Sequence, residues 1–311
     1  MTEDSTRAGF GRGLLKLGKK NKNVYALTAD LGGSTKVDAF EKECPDRFVQ
    51  VGVAEQNLVT VASGLAHVGK IPFATSFAAF SPGRNWEQIR TTICYNEQPV
   101  KICSTHSGLG VGEDGATHQM LEDLALMRSL PNMTVIQPCD ALEAEKAVEE
   151  IAKLDKPVYL RLNRQKSKII TNKKNKFRIG KANVLKKGEH LTLIGIGPVL
   201  ASALEAAEEL EKEGISVEVI NMHTLKPLDE TTIQKSIEKT DLVVTVEDHQ
   251  INGGLGGAVA EFLSQNTPTP LKIIGVEDSY GESGSYQELY DKYGLSKNKL
   301  KKKIQEFIEE A

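Results

Sequence analysis

Glu55 lies within residues 51–67, VGVAEQNLVTVASGLAH, where almost every neighbour is apolar or small, so a charge there needs a reason. Phe48, Val49 and Val51 read as a strand, Gly52 as a tight connection, and Leu58, Val61, Ala62 and Leu65 recur at helical spacing. Glu55 therefore falls at a strand-to-helix junction. Two readings fit: an acid in a helix's first turn, favoured by the macrodipole, or a buried acid poised to share a proton with a ligand. A second concentration of chemistry is THSGLGVGEDGATHQ, residues 105–119, with four glycines, two histidines and two acids. Glycines at that density call for unusual backbone angles or close approach of the backbone to something. Histidines beside carboxylates suit proton transfer or phosphate contact. Cys103, His106 and His118 imitate zinc ligands, but no fourth falls at the usual spacing, and no metal set is expected. Phe77 and Phe80 stand three apart among alanines and serines, a pattern open to core packing or to stacking of a flat heterocycle. The segment DLGGST, residues 30–35, puts a glycine pair beside hydroxyls, either as a plain turn or as an anion cradle.

The elements that must position these residues follow an α/β rhythm. Helical spacing over 6–17 precedes short apolar runs at 24–27, 71–75 and 100–104, with a helix expected over 84–95. Beyond a polar, lysine-rich stretch the rhythm resumes: strands at 191–196, 216–220 and 241–246, helices at 201–213 and 258–264, and Asn252 to Gly257 as a turn. The expected fold is α/β with two domains, each a mostly parallel sheet flanked by helices: residues 1–172, a linker at 173–181, and residues 182–311. GIGPVLASA lacks the third glycine of a dinucleotide fingerprint and the next strand ends in Asn221 rather than an acid, which argues against NAD. At 311 residues with 40% hydrophobic content, two cores are affordable. A net charge of −3 offers no basic field for nucleic acid. Neither an apolar leader nor a membrane-spanning run is present, so a cytoplasmic protein is expected. The four cysteines form no CxxC pair and read as reduced thiols.

GVAEQN, SFAAF and THSGLGVGEDGATHQ, in this order, resemble the C-terminal half of transketolase. The likeness continues through RSLPNMTVIQPCD and TVEDHQINGGLGGAVAE, and so spans essentially the whole chain. GEDGATHQ is a specific signal, whereas GVAEQ is shared with other thiamine-diphosphate enzymes. The resemblance implies an aminopyrimidine-binding domain plus a transketolase-type C-terminal domain. The Gly-Asp-Gly…Asn motif that holds the cofactor's diphosphate and Mg²⁺ is absent, so a partner N-terminal subunit is expected to supply it, in an α2β2 heterotetramer. By the same resemblance Glu55 hydrogen-bonds the aminopyrimidine N1′ of thiamine diphosphate, and Phe77 and Phe80 pack against that ring; the family's third aromatic is replaced by Gly83. His118 matches a histidine near the reacting carbons and Asp114 a contact to a substrate hydroxyl. Arg7, Ser34, His106 and Arg164 match contacts to a sugar phosphate, with Arg161 competing for the place of Arg164. The C-terminal domain is implied to be structural and dimer-forming. The implied activity is a transferase's: movement of a two-carbon ketol unit between sugar phosphates, in the manner of the pentose phosphate pathway. Two runners-up share the AEQ around Glu55, the β subunit of a 2-oxo acid dehydrogenase E1 component and a deoxyxylulose-phosphate-synthase-like protein. A non-catalytic binding protein on a retained fold is the reading from a different class.

Overall fold

The structure, a computed structural model, describes residues 2–172 and 174–310. Two sheets carry it. The first has seven strands in the order Thr224–Lys226, Thr134–Ile136, Val158–Arg161, Lys101–Thr105, Ile71–Phe77, Val24–Thr28 and Phe48–Gln50. All neighbours in it are parallel except Thr224–Lys226, which arrives from the second half of the chain and pairs antiparallel with Thr134–Ile136. The second has five strands, in the order Leu271–Val276, Val243–Gln250, Leu191–Ile196, Val217–Asn221 and Asn183–Lys186, of which only the last is antiparallel. This is the α/β architecture expected. Strands covered by helices on both faces are buried along their whole length, and Lys101–Thr105 and Leu191–Ile196 show that pattern at every residue.

One apolar core runs through both halves. Leu58, Ile102, Leu124 and Met127 belong to the same buried cluster as Ile194, Ile220, Leu255 and Phe262. Residues 167–171 are tied to this body, and within residues 174–181 Phe177 is the buried contact. Ser167–Lys168 pairs with Glu3–Asp4, and the Asp140 carboxylate accepts from the Ile170 and Thr171 amides at 3.0 and 2.6 Å. Phe177 is buried against the His223 ring, centroids 4.2 Å apart. A lysine-rich composition reports solvation of the side chains, but one phenylalanine and one buried carboxylate suffice to dock the backbone. Lys173, where the linker was expected to begin, lies outside the described residues.

Two helices differ in their starts. The one expected from Arg84 begins at Trp86 and widens to i→i+5 geometry over Ile89–Cys94. The helix Leu255–Asn266 takes in Gly256 and Gly257, expected in a turn, because the Glu247 carboxylate accepts from the Leu255 and Gly256 amides at 2.7 Å each. A carboxylate supplied by a neighbouring strand thus caps the helix where its own sequence offers no cap. Among the described residues no helix is long and apolar enough to cross a membrane.

Candidate active site

The parallel strands of the first sheet all end at one edge, where open α/β sheets bind ligands. Glu55 opens the helix Glu55–His67 just beyond the strand Phe48–Gln50 and is 4% exposed. It is thus both a first-turn acid and a buried one. Ser76, near the end of Ile71–Phe77, donates to Oε1 at 3.2 Å, and Arg84 Nη1 donates to Oε2 at 3.2 Å. Asn85 Nδ2 donates to the Glu55 backbone carbonyl at 2.8 Å and so fixes the helix start against the 77–85 turn.

That turn carries both aromatic rings. Phe77 and Phe80 stack on one another with centroids 5.6 Å apart and planes 21° apart. The ring faces are not open, as the small neighbours had suggested: the His106 ring covers Phe77 at 3.7 Å, and the Arg84 guanidinium lies over Phe80 at 4.0 Å. His118 meets the edge of Phe80 at 5.5 Å. Gly83 is forced by the turn, since a Cβ there would stand 2.0 Å from the Ala79 carbonyl oxygen. No third aromatic can occupy that position without moving the backbone.

Beside the rings, four separate segments converge on a cationic cluster. Arg7 sits in the first turn of the helix Thr6–Lys20, capped by Ser5, whose hydroxyl accepts from the Ala8 amide. Thr6 exchanges hydrogen bonds with the backbone of Asn163, accepting from its N–H at 2.7 Å, which brings the helix start to the segment of Arg164. Arg7 Nη1 donates to the Ser34 carbonyl at 2.8 Å and approaches His106 Nε2 at 3.3 Å. His106 follows the strand Lys101–Thr105 with a left-handed φ of +57°. Burial first, then the charges of Arg7, Arg164, His118 and Lys36, push it down to about 3. The ring is therefore neutral at physiological pH rather than titrating there. Because Arg7 can only donate, Nε2 accepts and Nδ1–H donates to Thr105 Oγ1 at 2.8 Å. Arg7 is itself lowered by burial and by the like charge of Arg164. Its buried Nε has no hydrogen-bond partner among the described residues. Arg164 donates from Nη1 to the Val111 carbonyl and to Glu113, the latter at 3.3 Å.

Arg161 is removed from the competition. It is fully buried, with Nε on Asp123 at 2.7 Å, Nη1 on Gln137 at 3.2 Å and Nη2 on the Met120 carbonyl at 3.0 Å, so its donors are spent inside the fold. Asp114 is exposed at the end of the short helical turn Leu109–Asp114, and His118 bonds Thr117 Oγ1 through Nδ1 at 2.9 Å. Sequence reasoning missed Ser76, Arg84, Asn85 and Lys36. Arg84 stands four residues after Phe80, a spacing that brings two side chains together across a turn; Lys36 had no signal beyond its place after Ser34.

Residues 3–168 match the family model described as transketolase, pyrimidine binding domain, and residues 180–300 match transketolase, C-terminal domain. A Methanocaldococcus jannaschii protein, provisionally named a transketolase C-terminal section, is 48% identical over 96% of this chain and 95% of its own length. The 6-deoxy-6-sulfo-D-fructose transketolase subunit SqwH of Clostridium sp. is 40% identical, covering 95% of this chain and 92% of that protein. Human transketolase is 37% identical over 99% of this chain, which spans 49% of it. Among solved structures, one described as a split gene transketolase, inactive beta4 tetramer, superimposes with a TM-score of 0.92 at 45% identity, covering 98% of both chains. With an acid, two stacked rings and a cationic cluster gathered at one sheet edge, and with relatives matching over nearly its full length, this chain belongs to the transketolase family.

Proposed function

We propose that this chain is the C-terminal subunit of a two-chain transketolase, moving a two-carbon ketol unit from a ketose phosphate to an aldose phosphate. The observation that carries the reading is the convergence of Arg7, Ser34, His106 and Arg164 from four segments, with a buried Arg7 Nε unmet among the described residues and Arg7 lowered by burial and by the charge of Arg164. A phosphate dianion would satisfy that donor and relieve that repulsion. The 2-oxo acid dehydrogenase alternative handles a small unphosphorylated acid and needs no such clamp.

The residues present also suit thiamine diphosphate's aminopyrimidine. When bound, that cofactor supplies the carbanion chemistry of ketol transfer. Glu55 would hold and return a proton at the aminopyrimidine N1′, with Ser76 keeping its carboxylate aimed. Phe77 and Phe80 would take the flat ring, and Asp114 and His118 would face the sugar. The diphosphate and Mg²⁺ fall to an N-terminal partner subunit, as the name split gene transketolase suggests for the structural relative. An α2β2 assembly in the cytoplasm completes the reading.

Co-purification with the partner chain and an assay of ketose–aldose exchange test it. In that complex Arg164→Ala should raise KM for a phosphorylated ketose by about 10–150-fold, the loss of one charge-assisted contact. The change for unphosphorylated hydroxypyruvate should stay within about threefold. Equal losses on both donors remove Arg164 from the clamp; robust turnover of pyruvate with a lipoyl acceptor rejects the reading altogether.

A further inference from the structure

The loop 105–119 turns its backbone toward the second sheet. Its neck is closed by Gly108 N–H donating to the Met120 carbonyl at 2.9 Å. At the next residue, Leu109 N–H donates to Asp248 Oδ1 at 2.9 Å, and Tyr290 Oη donates to the other oxygen of that carboxylate at 3.1 Å. Asp248 stands in the strand Val243–Gln250 and is 1% exposed. Gly108, at a φ of +73°, leaves room for it: a Cβ there would lie 2.2 Å from Oδ2. At the far end of the loop, Gln119 Nε2 donates to the Glu282 carbonyl at 2.9 Å and reaches back to the carbonyls of Leu109 and Gly112. The close backbone approach that the glycines signalled is thus an approach to the C-terminal domain.

We infer that Asp248 is a positioning residue: by holding the Leu109 amide it sets the path of the loop that carries Asp114 and leads to His118. The C-terminal domain then acts on ketol transfer without touching substrate, an inference that rests on the functional reading above. A carboxylate serves better than a neutral acceptor because its two oxygens separate the tasks, one facing the loop and the other locked by Tyr290. Leu109 is itself buried in an apolar cluster with Leu191, Val244 and Leu289 of the C-terminal half, so the loop has an apolar anchor at the residue whose amide is held.

Two measurements test this on the full chain and on its complex with the partner subunit. In the complex, Asp248→Ala should lower kcat/KM for a ketose phosphate by about 10–100-fold, with C2–H exchange of the bound cofactor unchanged within about twofold. Asp248→Asn, which keeps an oxygen facing Leu109, should recover most of the loss, and Tyr290→Phe should fall between the two. Equal losses in exchange and in transfer would make Asp248 a general scaffold residue and overturn the inference. In the full chain, hydrogen exchange at Leu109–Asp114 should quicken by about tenfold or more in Asp248→Ala and Tyr290→Phe, while Ile71–Phe77 and Lys101–Thr105 keep their rates. Unaltered loop exchange overturns the inference by itself. A wild-type complex that transfers no ketol unit overturns the functional reading instead.

Discussion

Arg84 occupies both surfaces that the aminopyrimidine would need, the Glu55 carboxylate at 3.2 Å and the Phe80 face at 4.0 Å. On the proposed reading, cofactor binding would displace it, and the size of that cost follows from its exposure. The Arg84 side chain is 51% exposed while that of Glu55 is only 3% exposed, so solvent screens the ion pair from the arginine's side, and about 0.2–1 kcal/mol, the worth of an exposed pair, is a floor for it. A cation over an aromatic face at an exposed site adds about 0.5–1 kcal/mol. Together these come to at least about 0.7–2 kcal/mol, or roughly 3–30-fold in a dissociation constant. Arg84→Met, which keeps an apolar stem over Phe80 and removes the charge, should tighten thiamine diphosphate binding by the assembled enzyme by at least that much. Calorimetry on the complex in saturating Mg²⁺ reads it directly. The advantage of the variant should shrink as salt is raised, because the lost pair is a screened one. Unchanged or weaker binding would refute the displacement argument and make Arg84 a contact that the cofactor keeps.

Glu55→Gln should leave assembly intact and slow C2–H exchange of the cofactor by about 10²–10⁴-fold, the span of a general acid–base group; wild-type exchange would return Glu55 to the status of a helix-start residue. His106 gives a signed pH effect. Held neutral down to about 3, it binds fewer protons in the folded chain than in the unfolded one at every pH between there and about 6.5. Its contribution to stability is complete above about pH 6.5 and declines as pH falls through that window, by about 1.4 kcal/mol per unit. Urea midpoints for His106→Gln should accordingly fall less steeply with acid than those of the wild type, and parallel curves would contradict the assignment.

The fold was legible because its signals are local: apolar runs at strand length, helical spacing between them, and a rhythm that only a parallel sheet accommodates. The places of Glu55, Phe77, Phe80 and His106 at strand ends were legible for the same reason. Long-range partners were not. Nothing near Arg161 in sequence distinguishes it from Arg164, and the difference is made by Asp123, thirty-eight residues away, together with Gln137 and the Met120 carbonyl, which between them take its donors. Nothing near Gly108 announces Asp248, 140 residues on. Glu247, Asp248 and His249 read as the polar end of a strand, yet all three are buried. Their polarity serves a helix start at Leu255 and Gly256, the Leu109 amide, and the Ala125 amide at 3.3 Å. Composition tells which groups are polar, and only topology tells which of them meet.

The contrast between Glu55 and the cationic cluster bears on what assembly must do. A buried carboxylate left without a partner is costly, and so is a buried guanidinium. In this chain the first cost is met internally, by Ser76 and Arg84, whereas the second is left partly open at Arg7 Nε. The acid's present partner is half exposed and rests on a ring face, so it can leave toward solvent at small cost once a heterocycle offers the carboxylate a better donor. At the cluster Arg164 already has the exposed Glu113 carboxylate at 3.3 Å, whereas Arg7, its affinity for its proton lowered by burial and by the charge of Arg164, meets among the described residues only the Ser34 carbonyl and the neutral His106 ring. On the proposed reading, the cofactor half of the site keeps its carboxylate partnered until the heterocycle displaces Arg84. At the phosphate half, Arg7 Nε is a buried donor without a partner among the described residues, and a substrate phosphate would supply one. Binding energy at the phosphate would then be available to hold the sugar against Asp114 and His118, on a loop whose path Asp248 sets.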